Sequence, residues 1–191
     1  MKKLYLVRHG ETLFNVRKII QGWCDSPLTE NGIQQAKKCG AYFRSHNITF
    51  DHAYSSTSER ACDTLEFITD MPYIRTKGLK EMNYGIFEGE AQYLGAPNKE
   101  SRETYYAEHG GTTRKEVGER MLACLTDIMN QEGHECVLAV SHGAANNAFL
   151  REVLGYQPGI ELIMKNCSFY EFNYENGQFE FVGYVDTQVD E

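Results

Sequence analysis

Two histidines stand in short polar motifs that directly follow apolar runs. His9 lies in Arg8-His9-Gly10 and His142 lies in Ser141-His142-Gly143. A neutral imidazole can act as a nucleophile near pH 7, because its reference pKa is about 6.5. A guanidinium next to it can bind phosphate oxygens through two parallel hydrogen bonds. The two motifs therefore predict a site at which a histidine reacts with a phosphate group.

Two further charged residues can take part in this chemistry. Arg60 lies one turn into a predicted helix, from which its guanidinium can point back to the same cavity. Glu81 precedes a polar stretch, and a carboxyl group in a partly closed pocket that holds phosphate has a raised pKa and can donate a proton. Three other acidic residues, Glu11, Asp25 and Glu59, are expected to orient arginines or to cap helices.

The elements that must position these residues alternate between strand and helix patterns. Strands are predicted at 3–7, 52–55, 73–75 and 136–140, with a C-terminal hairpin at 169–185 around Glu175-Asn176-Gly177. Helices are predicted from the N-cap Thr29 to about Arg44, at about 58–69 after a cap at Ser56 or Thr57, at about 113–131 and at 144–154. This order favours an α/β fold, a three-layer α/β/α sandwich around a mostly parallel mixed sheet. Ligands of such sheets bind at the carboxyl ends of the strands, where both histidine motifs lie.

The stretch 85–111 interrupts this alternation. It is polar, contains several glycines and Pro97, and has only a weak helical pattern. We expect an insertion or lid outside the sheet, within a single domain that spans residues 1–191. Five aromatic residues in or near the stretch either line a pocket or pack the insertion against the domain: Tyr84, Phe87, Tyr93, Tyr105 and Tyr106.

Composition limits the classes of partner and compartment. The chain has 191 residues and a formal net charge of −8, with no sign of the basic face that general nucleic-acid binders carry. The N-terminal apolar run stops at Arg8, too early for a signal peptide or a membrane span. The six cysteines contain no C-x-x-C pair, which favours reduced thiols over zinc ligation. We therefore expect a cytoplasmic protein that binds neither nucleic acid nor membrane; the oligomeric state stays open.

Four blocks of residues, taken together, resemble the histidine phosphatase superfamily, the phosphoglycerate-mutase-like proteins. The first block contains Arg8-His9-Gly10-Glu11-Thr12, Asn15, Gln21, Gly22, Asp25, Pro27-Leu28-Thr29 and Gly32. The others contain Ser55, Ser56, Arg60, Ala61 and Thr64; Glu81, Gly85, Glu88 and Gly89; and Ser141-His142-Gly143. Each block alone is a weak signal, but all four occur in the family's order, and the resemblance extends to about Leu154.

The resemblance implies a role for each matched residue. His9 would take the phosphoryl group and form a phosphohistidine, while Glu81 would protonate the leaving oxygen and then activate water. The phosphate oxygens would be held by Arg8, Arg60 and His142. Further phosphate or substrate contacts are implied for Asn15, Gln21, Gly22 and Gly143, whose amide lies at a helix start. The scheme requires no metal ion and no other cofactor.

Some positions depart from the family's pattern. Phe14 stands where many members have tryptophan, and Ile19 stands where many have arginine, while an arginine appears at Arg17. Many relatives have Gly-Gly-Glu-Ser in the region 108–113, but here the acidic residue is absent and Arg114 follows. We expect these departures to affect the choice of substrate more than phosphoryl transfer.

These observations predict a metal-independent phosphomonoester hydrolase of the histidine acid phosphatase type. It would act through a phosphohistidine on a small phosphorylated metabolite. A cofactor-dependent phosphoglycerate mutase is the first alternative. Lys99 and Arg102 in the insertion are outnumbered by acidic residues, which argues against a doubly anionic substrate: Glu88, Glu90, Glu100, Glu103 and Glu108. The second alternative is a catalytically silent binding module of the same fold, although the residues that inactive relatives usually lose are all present.

Overall fold

The structure is a computed structural model that describes residues 1–98, 100–155 and 164–189. Its sheet contains the strands β1 (Lys2–Arg8), β2 (His52–Ser56), β3 (Ile74–Thr76), β4 (Cys136–Ser141), β5 (Phe169–Glu175) and β6 (Gln178–Val185). They lie in the order β3-β2-β4-β1-β5-β6. The first four in this order are parallel, and β5 pairs antiparallel with both β1 and β6. The predicted mixed, mostly parallel sheet is confirmed.

Helices cover both faces of this sheet. They are α1 (Leu13–Arg17), α2 (Glu30–Ser45), α3 (Glu59–Ile68), α4 (Arg114–Met129) and α5 (Gly143–Leu154). Tyr5 and Val7 of β1 pack in one core with α2 and α3, whereas Leu4 and Leu6 pack in the other core with α4 and α5. Successive residues of a strand point to opposite faces, so each inner strand contributes to both cores. The result is the three-layer sandwich that the sequence predicts.

Several element ends follow local sequence signals. The Thr29 hydroxyl accepts a hydrogen bond from the third amide of α2, and Thr113 forms a capping box with Glu116 at the start of α4. Asn176 and Gly177 join β5 to β6 with positive φ angles of 52° and 80°, as an Asn-Gly hairpin turn requires. The predicted Thr29 cap and the predicted hairpin turn are confirmed, whereas the capping box at Thr113 is a finding of the structure.

The start of α3 differs from the prediction. Its N-cap is Ser58 rather than Ser56 or Thr57, and the Ser58 side chain makes no capping hydrogen bond. The carboxylate of Asp25 accepts the hydrogen bond from the first helical amide, that of Glu59, at 2.7 Å. The cap comes from a loop distant in sequence, so the local pattern does not show it. The short helix α1 is also absent from the prediction.

The described residues of the stretch 85–111 form four short 3₁₀ turns: Gly85–Phe87, Gln92–Leu94, Ser101–Glu103 and Ala107–His109. None of its described residues belongs to the six-stranded sheet. Four rings pack against one another with centroids 4.7–5.8 Å apart, those of Tyr84, Phe87, Tyr105 and Tyr106. Tyr93, in contrast, is 86% exposed. Action as a lid and single-domain organisation stay predictions.

The structure bears on membrane spans and on the state of the cysteines. Across 1–98, 100–155 and 164–189, no helix combines the length and the apolar character needed to cross a membrane. All six cysteines lie within these ranges and are free thiols. The cytoplasmic location and the exclusion of nucleic acid stay predictions.

Candidate active site

The two histidine motifs meet because β1 and β4 are neighbouring parallel strands. Arg8 is in register with Ser141, so the next residues, His9 and His142, leave the sheet side by side. Their ring centroids are 5.3 Å apart. Both rings are buried, with His9 4% and His142 0% exposed. The predicted placement of both histidine motifs at the carboxyl ends of strands is confirmed, and the structure brings the two imidazoles together there.

His9 is oriented so that one ring nitrogen keeps its lone pair. Its Nδ1 lies 2.8 Å from the carbonyl oxygen of Gly10, and a carbonyl can only accept, so the proton is on Nδ1. Burial lowers the pKa of His9 well below its ordinary value, and the charges of Arg60 and Arg8 lower it further. The imidazole is therefore neutral at pH 7, with Nε2 available as a nucleophile.

Arg60 is anchored by the loop between α1 and α2. Its Nη1 donates to the Asp25 carboxylate at 2.8 Å and to the Cys24 carbonyl at 3.1 Å, and its Nη2 donates to the Gly22 carbonyl at 2.9 Å. Asp25 therefore both orients an arginine and caps α3, as expected for one of the acidic residues. Gly22 supports Arg60 through its main chain.

Arg8 lies beside the N-terminus of α5. A Cβ on Gly143 would lie 3.3 Å from Arg8 Nε, so the lack of a side chain there leaves space for the guanidinium. Nη1 donates to the main-chain carbonyl of Met164. Burial lowers the pKa of Arg8 and the charge of Glu81 raises it, but a guanidinium stays protonated at neutral pH.

Glu81 is buried at the N-terminus of α5. Its carboxylate accepts hydrogen bonds from the amides of Met82 at 2.8 Å, Ala144 at 3.1 Å and Ala145 at 2.8 Å. It thereby satisfies helix amides that the N-cap His142 does not, since His142 makes no side-chain capping bond. Burial raises the pKa of Glu81, and this increase is larger than the decrease that these hydrogen bonds cause. A raised pKa suits a group that must carry a proton at neutral pH.

Several polar nitrogens of the predicted phosphate-binding residues have no hydrogen-bond partner among the described residues. The buried atoms are Arg8 Nε, Gln21 Nε2, Arg60 Nε and His142 Nδ1. The other ring nitrogen of His142 shares a 2.8 Å hydrogen bond with the Ser56 hydroxyl. Buried polar groups without partners are uncommon and destabilising. An anion with several oxygens would satisfy donors of this kind.

These residues surround a cavity of about 410 Å³. The predicted site residues that line it are Arg8, His9, Asn15, Gln21, Glu81 and Gly143. Gly22, Arg60 and His142 are not among its lining residues and lie within the surrounding structure. The volume is in the range of small-molecule sites, which fits a small metabolite better than a polymer.

The sequence profile of the histidine phosphatase superfamily (branch 1) matches residues 4–187. The chain belongs to the histidine phosphatase superfamily. It is 34% identical, over 197 aligned residues, to a probable phosphoglycerate mutase GpmB from Yersinia pestis (strain Pestoides F). That alignment covers 97% of this chain and 91% of the relative.

Solved structures of other proteins have the same fold. YhfR from Bacillus stearothermophilus superimposes with a TM-score of 0.85 and 28% identity, covering 95% of each chain. Phosphoserine phosphatase from Entamoeba histolytica, in complex with 3-phosphoglyceric acid, gives a TM-score of 0.82 and 28% identity over 98% of each chain. This chain is thus an enzyme of the superfamily, with relatives named as phosphatases and as mutases.

The cavity differs in charge from the insertion as a whole. Its lining arginines are Arg8, Arg102, Arg114 and Arg151, and Glu81 is the one acidic residue among the described lining residues. Glu103, from the insertion, lies 3.6 Å from Arg114 and 2.8 Å from Arg151. Lys99 lies outside the described residues. The charge of the cavity lining therefore differs from the net charge of the insertion, and the exclusion of a doubly anionic substrate stays a prediction.

Two departures from the family's pattern change the cavity wall. Ile19 lines the cavity with apolar surface where many histidine phosphatases carry arginine. Arg17 is exposed and does not line the cavity, so it does not replace that arginine. Arg114 does line it and adds a cation at another position. Of the five aromatic residues, Tyr84 and Tyr106 reach the cavity.

Two half-buried charged residues hold the loops around the site, and the sequence assigns neither a function. Glu88 accepts hydrogen bonds from four main-chain amides at 2.8–3.1 Å, those of Gly22, Trp23, Cys24 and Tyr84. Arg120 donates to carbonyls of the segment that ends at Glu81. Arg120 lies outside the apolar stripe of α4, which contains Val117 and Met121, so the helix pattern gives no signal for its role.

Ligands for a metal ion are not grouped in the described part of the chain. No set of three or more histidine, cysteine, aspartate or glutamate side chains there is placed to hold one ion. Independence from metal ions stays a prediction, which the experiment below tests.

Proposed function

We propose that this enzyme is a metal-independent phosphomonoester hydrolase of the histidine acid phosphatase type, acting on a small phosphorylated metabolite through a phosphohistidine. One observation carries the proposal. The neutral His9, with Nε2 unprotonated, shares a cavity with Arg8 and Gln21 and experiences the charge of Arg60. Each of these three neighbours has a buried nitrogen with no partner among the described residues. The oxygens of a phosphate group are suitable acceptors for these nitrogens. Membership of the superfamily and the phosphoserine phosphatase relative support the same reaction class.

In the first step, His9 Nε2 attacks the phosphorus atom of the ester. A bond forms between Nε2 and phosphorus, and the bond between phosphorus and the leaving oxygen breaks. The protonated carboxyl group of Glu81 gives its proton to that oxygen, so a neutral alcohol leaves. Arg8 and Arg60 offset the negative charge on the phosphoryl oxygens during transfer.

In the second step, a water molecule attacks the phosphohistidine. The Glu81 carboxylate takes a proton from the water as its oxygen bonds to phosphorus, and the nitrogen–phosphorus bond breaks. Inorganic phosphate leaves, His9 is neutral again, and Glu81 is again protonated. The Gly10 carbonyl keeps the Nδ1 proton of His9 hydrogen-bonded, which holds the ring in one orientation.

A phosphoglycerate mutase is the second candidate function, and the arginines of the cavity favour it. Arg102, Arg114 and Arg151 line the cavity in addition to Arg8, which fits a substrate with a carboxylate as well as a phosphate. The relative from Yersinia pestis is named a probable phosphoglycerate mutase. A mutase would return the phosphoryl group of His9 to a glycerate oxygen instead of water.

The test is a panel of phosphomonoesters assayed for phosphate release in the presence of EDTA. The panel contains p-nitrophenyl phosphate, sugar phosphates, nucleotides, phosphoserine and both phosphoglycerates. We expect the wild-type protein to release phosphate and His9→Ala to release none, because the nucleophile is missing. His46→Ala is the matched control; His46 lies on the exposed end of α2 and should be dispensable.

The other outcomes separate the alternatives. Interconversion of phosphoglycerates without net phosphate release assigns the mutase. Full activity of His9→Ala overturns the nucleophilic role. Binding of vanadate or phosphate without turnover of any substrate assigns the silent binding module.

A further inference from the structure

Arg120 connects α4 to the segment that carries Glu81. Its guanidinium donates four hydrogen bonds to main-chain carbonyls: Nη1 to Lys77 at 3.0 Å and Gly78 at 3.4 Å, and Nη2 to Lys80 at 2.7 Å and Glu81 at 3.3 Å. All four acceptors lie in the five residues that end at Glu81. A planar guanidinium has donors in a fixed fork and can hold several carbonyls at once.

Glu81 is therefore held from two helices. Its carboxylate is bound by the amides of Ala144 and Ala145 on α5, while its main chain is bound by Arg120 on α4. The segment is also fixed from β4, because the Ser141 hydroxyl donates to the Leu79 carbonyl at 2.9 Å. Without Arg120, the side-chain bonds of Glu81 would persist but its main chain would lose its contacts with α4.

We propose that Arg120 is a positioning residue for proton transfer, holding the Glu81 main chain so that the carboxyl group meets the leaving oxygen. The inference rests on the role proposed above for Glu81. Arg120 is not among the residues that line the cavity, so it would act through Glu81 rather than on substrate. Small displacements of a proton donor are costly, since proton transfer requires hydrogen-bond distance.

The test compares two leaving groups. An alkoxide must be protonated as its bond to phosphorus breaks, whereas p-nitrophenolate is a stable anion and leaves without a proton. The quantity to measure is kcat/KM, which covers the steps up to the phosphohistidine and excludes the later attack of water. The substrates are p-nitrophenyl phosphate and the best alkyl phosphate from the panel.

We expect Arg120→Met to lower kcat/KM for the alkyl phosphate by about 10- to 100-fold. This loss is smaller than the full rate enhancement of a general acid, because the Glu81 carboxyl group is displaced but not removed. For p-nitrophenyl phosphate the loss should be under about 3-fold, because this leaving group does not need the donor. Arg120→Lys keeps the charge but lacks the planar set of guanidinium donors, so its loss of kcat/KM for the alkyl phosphate should be intermediate. This variant replaces Arg120→Met in the test if Arg120→Met does not fold. Arg75→Met is the control; Arg75 is exposed and donates one bond, to the Thr57 carbonyl at 3.1 Å.

Failure of the inference and failure of the proposed function give different results. Equal losses on both substrates in folded Arg120 variants would overturn the positioning role. If Glu81→Gln itself shows no dependence on the leaving group, the proposed role of Glu81 is wrong, whatever Arg120 does. If Glu81→Gln does show a dependence on the leaving group, the double variant with Arg120→Met is the next comparison. Its kcat/KM for the alkyl phosphate should be little lower than that of Glu81→Gln alone, because a positioning residue has no effect without its target.

Discussion

Arg60 has both terminal nitrogens occupied by protein oxygens, while its Nε is buried without a partner among the described residues. The side chain is 0% exposed, and the side chain of its ion-pair partner Asp25 is 27% exposed. A buried charge with partners on one edge only lowers stability unless a ligand supplies the missing partner. At the scale of single residues, the site is thus preorganised for an anion.

Replacing Arg60 with methionine keeps an extended side chain and removes the charge. We expect the free energy of unfolding to fall by about 3 kcal/mol, because Asp25 and the loop carbonyls lose their buried partner. Urea denaturation measures this loss. The rise in Tm that phosphate or vanadate should cause in the wild type should disappear. A variant that keeps this rise would show that the anion binds elsewhere.

At the scale of elements, Glu88 joins the loop after α1 to the segment that follows Glu81. Burial by itself raises the pKa of Glu88, but its hydrogen bonds with Cys24 and with the amides of Tyr84 and Trp23 hold the pKa below its usual range. Gly22 allows the two loops to approach, since a Cβ there would lie 2.2 Å from the Met82 carbonyl oxygen. A single carboxylate therefore connects the anchor of Arg60 with the segment that carries Glu81.

Glu88→Gln should lower the free energy of unfolding by about 2 kcal/mol at pH 7, because charge-assisted hydrogen bonds become weaker neutral ones. The pKa of Glu88 is depressed in the folded state, so its stabilisation is present above the unfolded pKa of about 4.3 and is lost as the pH falls through the folded value. The difference between wild type and variant should therefore shrink below about pH 4. Urea denaturation across this pH range measures it.

The control for this prediction is Glu119→Gln. Glu119 is exposed and faces Lys115 at 3.7 Å, a pair that contributes little to stability. An equal loss in both variants, or a loss in Glu88→Gln that is the same at acid pH, would contradict the account of Glu88.

At the scale of the whole molecule, the sheet order places two buried imidazoles side by side at the carboxyl ends of β1 and β4. Burial lowers the pKa of His9 and of His142 well below the ordinary value, and the charge of Arg60 lowers both further. The folded state therefore resists protonation at two positions that accept protons freely in the unfolded chain. Stability then depends on pH in a defined direction.

We expect the free energy of unfolding to decrease as the pH falls below about 6.5, because the unfolded chain binds more protons than the folded one. In His9→Asn one of the two groups is missing, so the decrease should be shallower. His46→Asn, which changes an exposed histidine, should retain the wild-type slope. Urea denaturation between pH 7 and about pH 5 measures the slopes. Identical slopes for wild type and His9→Asn would contradict burial as the cause.

The sequence alone determined the residue types of the site, the alternation of strands and helices, and the family resemblance. The caps Thr29 and Thr113 and the turn Asn176-Gly177 could be predicted because each is a signal within a few neighbouring residues. The meeting of His9 and His142 could also be inferred, since parallel strands place their carboxyl ends at one edge.

Only the tertiary structure decided which groups face one another. The carboxylate of Asp25 caps α3, and the guanidinium of Arg120 binds the segment that ends at Glu81. Both contacts join stretches that are far apart in the chain. The charge of the cavity was likewise decided in three dimensions, because arginines line it while none of the five glutamates of the insertion does. Local periodicity specifies which face of an element is buried, but strand order and packing specify what that face meets.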